Sequence, residues 1–233
     1  MTKVVAINGS PRMEKGNTAA LLAAFLEGMR EADADVDIVY SARLDVKPCT
    51  GEMHCWYTKP GECYIKDGMQ ELYPVLGQAE LLVLATPVYI PLPGKMQSVI
   101  NRLCPLVEPR LQRREGRTRA GFRDDVAIRQ IVLVSTGAWW EKENMDTVLR
   151  IARELAEDAS VPFAGALLRP HAFLMRQDGK LTPEGEAVLR AARRAGRELI
   201  TEGRMRQETL DAISCPLIAE EELRRRYNAA LPS

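Results

Sequence analysis

Between Asn8 and Thr18 the chain gathers two amides, two hydroxyls, a guanidinium and two glycines: Asn8, Gly9, Ser10, Arg12, Gly16, Asn17 and Thr18. An apolar run, Lys3 to Ile7, precedes this loop. Ala19 to Arg30 follows, with Leu21, Leu22, Phe25, Leu26 and Met29 at the spacing of one helical face. Strand, polar loop and helix start is a layout that offers an anion free backbone N–H groups and the positive end of a helix dipole. Ser10, Asn17 and Thr18 add short donors, and Arg12 adds a planar fork suited to phosphate oxygens. Gly9 and Gly16 read as points where the backbone turns sharply and approaches the ligand. The spelling lacks the Gly-Lys-Ser/Thr ending of an ATP loop and the G-x-G-x-x-G of a dinucleotide loop.

Two further polar loops close apolar runs. Thr86, Pro87, Val88 and Tyr89 end the run from Leu81, and Ser135, Thr136 and Gly137 end the run from Arg129. Trp139 and Trp140 follow the latter, and a Trp pair is first expected in an interface or a core. Cys49, Glu52, His54, Cys55 and Cys63 make a second reactive segment. Ordinary loop cysteines are the first expectation there. A redox thiol pair and a zinc site with His54 are the alternatives. Cys104 and Cys215 are expected to be buried thiols, and His171 a satisfied structural histidine. Arg110, Arg113, Arg114, Arg117, Arg119 and Arg123 form a basic stretch, read first as solvated surface and second as a contact for a nicotinamide 2′-phosphate.

Positioning these loops requires regular elements. Strands are expected at residues 3–7, 36–41, 81–86, 129–134 and 163–168, and helices at 19–30, 69–77, 95–103, 144–158, 182–202, 207–213 and 219–230. Residues 105–127 read as an arginine-rich loop. Strands alternating with helices predict a doubly wound α/β sheet of five parallel strands. In such sheets ligands bind beyond the strand C-termini, so the three polar loops converge on one site. The division expected is 1–170 for the ligand-binding domain and 171–233 for a C-terminal helical extension, packed on the same domain or on a partner subunit.

Lysine plus arginine and aspartate plus glutamate number 32 each in 233 residues, so the formal net charge is zero. That gives no bulk electrostatic case for nucleic acid or an anionic membrane. A hydrophobic content of 46% with 27% charged residues fits a globular core. No apolar run approaches the roughly 20 residues that span a bilayer. With an apolar run starting at residue 3, no signal peptide is expected, and the cytoplasm is the expected compartment.

The loop at residues 8–18 resembles the phosphate loop of flavodoxin-like FMN proteins, especially the NADPH-dependent FMN reductase and iron–sulfur flavoprotein families. Their loops read Gly-Ser-x-Arg followed by Gly/Ser-Asn-Thr/Ser. Thr86 to Tyr89, Gly94-Lys95 and Ile100-Asn101-Arg102 resemble a second family segment, with Asn101 where aspartate is usual. The resemblance covers residues 3 to 170 and implies the flavodoxin strand order 2-1-3-4-5. It implies FMN as cofactor, held by Ser10, Arg12, Gly16, Asn17, Thr18, Thr86, Pro87, Val88, Tyr89, Ser135, Thr136 and Gly137. It also implies NAD(P)H as co-substrate, a small-molecule or protein electron acceptor, and a homodimer or higher homo-oligomer. The apolar loop Ile90 to Pro93, the Trp pair and the tail stripe of Leu189, Ala192 and Leu199 point the same way. Non-catalytic electron carriage is the alternative. Cys49, Cys55 and Cys63 match three positions of the compact four-cysteine run that ligates a 4Fe-4S cluster in the iron–sulfur branch; Glu52 occupies the other. A cluster is therefore an alternative and not the expectation. No side chain is needed as a catalytic acid or base, because the flavin carries the chemistry.

Overall fold

The computed structural model describes residues 1–229. In chain order it contains β1 (Thr2–Asn8), α1 (Asn17–Glu31), β2 (Ala34–Tyr40), α2 (His54–Tyr57), α3 (Met69–Gly77), β3 (Leu81–Pro87) and α4 (Gly94–Asn101). The hairpin β4 (Val107–Arg114) and β5 (Arg117–Phe122) comes next, then β6 (Gln130–Thr136), α5 (Asp146–Ala159) and β7 (Phe163–Arg169). A small hairpin, β8 (Arg176–Gln177) and β9 (Lys180–Leu181), leads to α6 (Pro183–Glu202), α7 (Gln207–Ser214) and α8 (Glu220–Ala229). The helix expected over 219–230 is α8; Ala230 lies outside the described residues.

Five parallel strands form one sheet in the order β2-β1-β3-β6-β7. With the β4–β5 hairpin set aside, this is the flavodoxin order. Successive residues of β1, β3 and β6 face opposite sides. Val4, Ala6, Val83, Val132 and Val134 meet α1 and α6 in one core, and Val5, Ile7, Leu82, Ile131 and Leu133 meet α3, α4 and α5 in the other. Burial on both faces is what the unbroken apolar strands demand.

Residues 105–127 are not the loop expected from their charge. The turn at Glu115 and Gly116, where Gly116 has φ 78°, folds Val107–Phe122 into an antiparallel hairpin. Arg119 pairs with Glu154, Glu157 and Asp158 of α5, and Arg117 with Glu154. These arginines serve to lay the hairpin on a neighbouring helix, so they are not free for a nicotinamide phosphate.

Helix α6 completes the sandwich beside α1. Thr182 caps it by accepting from the Gly185 N–H at 3.0 Å, and Pro183 opens it. A Cβ at Gly28 would stand 1.8 Å from the Arg193 carbonyl oxygen, and one at Gly196 would stand 1.9 Å from that of Phe25. The two helices therefore touch backbone to backbone. Ala192 and Leu199 are buried in that contact, and Leu189 packs at its margin. The apolar stripe expected to seek a second chain is thus used within this one. Helix α7 packs along the edge strand β7, which shields an otherwise open ladder.

Gly196→Ala should lower stability by about 1–3 kcal/mol, the cost of overpacking. Gly94→Ala, where an added Cβ meets nothing within 4 Å, should leave it nearly unchanged. Thermal unfolding of both variants checks this; equal midpoints would refute the close crossing.

Candidate functional site

The C-terminal ends of β1, β3 and β6 carry three loops, and hydrogen bonds lock them together. Asn8 Oδ1 accepts from the Ser10 N–H at 2.9 Å, and Gly9 N–H donates to the Ala85 carbonyl at 2.7 Å. The hydroxyls of Thr18 and Thr136 meet at 2.6 Å, joining the start of α1 to the end of β6. Val88 N–H donates to the Thr136 carbonyl at 2.9 Å, and Gly137 N–H to that of Arg169 at 2.9 Å.

These loops enclose a cavity of about 340 Å³, lined by Ser10, Arg12, Gly16, Asn17, Thr18, Pro87, Val88, Tyr89, Thr136 and Gly137, with Ala138, Ala172, Phe173 and Tyr227. A second cavity of about 360 Å³ shares Val88, Tyr89, Gly137 and Ala138 and continues to Ile90, Trp139, Asn144 and Met145. Together they make a cleft with a polar half on the first loop and an apolar half beside Trp139. A larger cavity of about 630 Å³ lies under the hairpin. It is lined by Ser160, Val161 and Pro162, which precede β7, so it sits at the N-terminal edge of the sheet, away from the three loops.

Ten of the twelve residues expected at the site line the polar half; Thr86 and Ser135 do not. Both are buried inside the sheet, where Ser135 Oγ donates to the Thr86 carbonyl at 2.9 Å and Thr86 Oγ1 donates to that of Pro87 at 3.0 Å. They hold β3 to β6. Gly9 and Gly16 both have ordinary backbone angles, with φ −83° at Gly16. Their role is space: a Cβ would come 2.7 Å from Met96 at Gly9 and 2.8 Å from Ser10 Oγ at Gly16. Ala172, Phe173 and Tyr227 gave no sequence signal, because they come from beyond β7 and from α8.

The polar half suits a phosphate. Helix α1 begins at Asn17 with no side-chain cap, so its first N–H groups stay available. Arg12 lines the cavity and has no carboxylate partner among the described residues. The apolar half suits a flat aromatic ring.

The cysteine segment fits a compact cluster poorly. Glu52 is exposed, and its carboxylate accepts from the Thr50 hydroxyl. Cys49 is exposed while Cys55 and Cys63 are buried. Burial pushes the Cys55 and Cys104 thiols up, Cys104 to about 12. Among the described residues no group of three or more His, Cys, Asp or Glu side chains is placed to hold a metal ion. Cys215, expected to be buried, is exposed.

Behind the cleft, Arg169 is fully buried and donates to the carbonyls of Pro170 and Ile213, both at 2.7 Å. Its Nη2 lies 2.9 Å from His171 Nε2, which also accepts from the Leu217 N–H at 3.0 Å. Two donors on Nε2 require the neutral ring with its proton on Nδ1. Nδ1 is itself buried and unpartnered among the described residues, so the histidine is only half satisfied.

Residues 2–152 match the sequence profile of the NADPH-dependent FMN reductases. An iron-sulfur flavoprotein of Archaeoglobus fulgidus is 33% identical over 104 residues, 44% of this chain and 46% of that protein. The chain thus spans about half the length of that curated relative. An NAD(P)H:quinone oxidoreductase from Methanothermobacter marburgensis shares the fold with a TM-score of 0.61 at 17% identity, over 85% of this chain and 98% of the other. An FMN-dependent NADH-azoreductase from Bacillus anthracis, solved with FMN, gives 0.57 at 13%, over 87% and 99%. Sheet order and flanking helices define a flavodoxin-like α/β protein. The chain belongs to the NADPH-dependent FMN reductase family.

Burial, then the Arg169 charge, depress the His171 pKa to about 4 from an ordinary 6.5. The unfolded chain therefore takes up this proton at higher pH than the folded one. The stability His171 contributes is complete above pH 6.5 and is lost as pH falls through 4. It amounts to at most about 3 kcal/mol. His171→Gln keeps an acceptor but cannot titrate, so its melting temperature should fall less than wild type between pH 7 and 4. Parallel pH profiles would remove His171 from the acid response.

Proposed function

We propose that the chain is an FMN-dependent NAD(P)H oxidoreductase. Electrons from reduced nicotinamide pass through FMN to a quinone, a flavin, a metal ion or a protein acceptor. The observation that carries this reading is the pairing of an uncapped helix start and Arg12, which has no carboxylate partner among the described residues, with an adjoining apolar cavity, within a chain of this family. When bound, FMN supplies hydride acceptance and electron delivery. This chain's residues do the holding. Asn17, Thr18 and the first N–H groups of α1 donate to the phosphate, Ser10 shapes the turn, and Arg12 neutralises the charge. The Pro87–Tyr89 loop, fixed by the bond from Val88 to Thr136, presents backbone groups to the ring edge. Tyr89 and Trp139 flank the apolar half.

The active unit is proposed to be a homodimer or higher homo-oligomer in the cytoplasm. Ile90 is fully exposed, Trp139 is 66% exposed and Tyr89 is 51% exposed at the mouth of the apolar half. Exposed apolar groups of this size at a cleft mouth suit cover by a second subunit. Trp140 has a different task, donating to the Ile218 carbonyl of its own chain at 2.8 Å.

Arg12→Ala should weaken FMN binding by about 1.5–3 kcal/mol, the range for a charged hydrogen bond. Riboflavin, which lacks the phosphate, should bind both proteins alike. Flavin fluorescence titration checks this. Equal FMN affinity in wild type and variant would remove Arg12 from the site.

A further inference from the structure

The C-terminal helix reaches back to the polar half of the cleft. Its approach is fixed by the Trp140 bond to the Ile218 carbonyl at 2.8 Å, the Leu217 bond to His171 at 3.0 Å and the buried Leu223. Tyr227 of α8 then lines the same cavity as Ser10, Arg12 and Asn17. Its ring meets that of Phe173 edge to face, with centroids 5.6 Å apart and planes at 75°. Neither ring lines the apolar cavity beside Trp139. The pair therefore stands at the phosphate end of the cleft and not at the ring end. Phe173 is 40% exposed and Tyr227 is 44% exposed, and both line this cavity.

We propose that Phe173 and Tyr227 form a wall that confines the ligand to a terminal phosphate monoester, admitting FMN and rejecting FAD. The inference rests on the reading of the cleft as a flavin site. A mononucleotide ends at its phosphate, so the wall closes over it and adds contact. A dinucleotide continues through a pyrophosphate to adenosine, and that extension must pass where the two rings meet. Two rings on separate elements, one after β7 and one on α8, make an edge-to-face contact of the kind that holds both in place. Selectivity then comes from excluding the larger ligand.

The test uses the full chain freed of flavin, and measures dissociation constants for FMN and FAD by fluorescence titration. Wild type should bind FMN more tightly than FAD. Tyr227→Ala should narrow that preference by about fivefold, by weakening FMN and admitting FAD, a change of the size that one aromatic contact provides. Phe173→Ala reaches the wall from the other element and should narrow it likewise, which keeps the test sound if one variant folds badly. Tyr227→Phe retains the ring and should keep the wild-type preference. An unchanged preference in both alanine variants would overturn the wall, as would a Tyr227→Phe protein that behaves like Tyr227→Ala. Wild type binding FMN and FAD equally would overturn the wall while leaving the flavin site standing. Wild type binding neither flavin would overturn both.

Discussion

A parallel sheet puts every strand C-terminus on one edge, and the placement of its helices decides where that edge opens. Here α1, which follows β1, covers one face of the sheet and α4, which follows β3, the other, while β1 and β3 lie side by side. The chain leaves these two neighbouring strands toward opposite faces, and the gap between the departing loops is the cleft. Everything proposed for this protein depends on that reversal. The start of α1 can be uncapped because it borders the gap.

A buried ion pair fastens the segment between Lys47 and Asp67 to the helix that follows the β3 loop. Arg102, 1% exposed, follows α4 and donates to both carboxylate oxygens of Asp67, at 2.9 and 3.1 Å. It also donates to the Lys47 carbonyl at 2.9 Å. Burial would raise the Asp67 pKa, but the bonds from Arg102 and from the N–H groups of Lys47 and Met69 outweigh it and hold the carboxyl below its usual range. Removing one partner of such a pair costs about 3–5 kcal/mol, because it strands the other charge. Through this network the cysteine segment is fastened to the helix behind the β3 loop. Its position thereby follows from the fold whether or not its thiols react.

Much of this was legible in sequence, and the omissions share a cause. The strands at Val4–Ile7 and Leu81–Ala85 are apolar throughout and could be nothing but buried parallel strands. The loop from Ser10 to Thr18 declared itself because its donors are contiguous. Thr86 and Ser135 misled because a hydroxyl at a strand end looks the same whether it faces a ligand or a neighbouring carbonyl. The Arg117 and Arg119 strand was hidden because its partners are the acids of α5, some 35 residues on. Phe173 and Tyr227 were invisible for a related reason. Their position depends on how α6 and α8 fold back, and that is set by backbone contact at Gly28 and Gly196 and by single bonds from Trp140 and His171, none of which has a local pattern.

The start of α1 and Arg12 are proposed to bind a flavin phosphate as a fixed dianion. Phosphorus-31 resonance of the FMN-loaded protein, followed from pH 5 to 9, tests it most directly. A free phosphate monoester titrates with a second pKa near about 6. One bound resonance is expected, its shift constant across that range, because charged donors hold the dianionic form. A resonance that titrates like free FMN would contradict it.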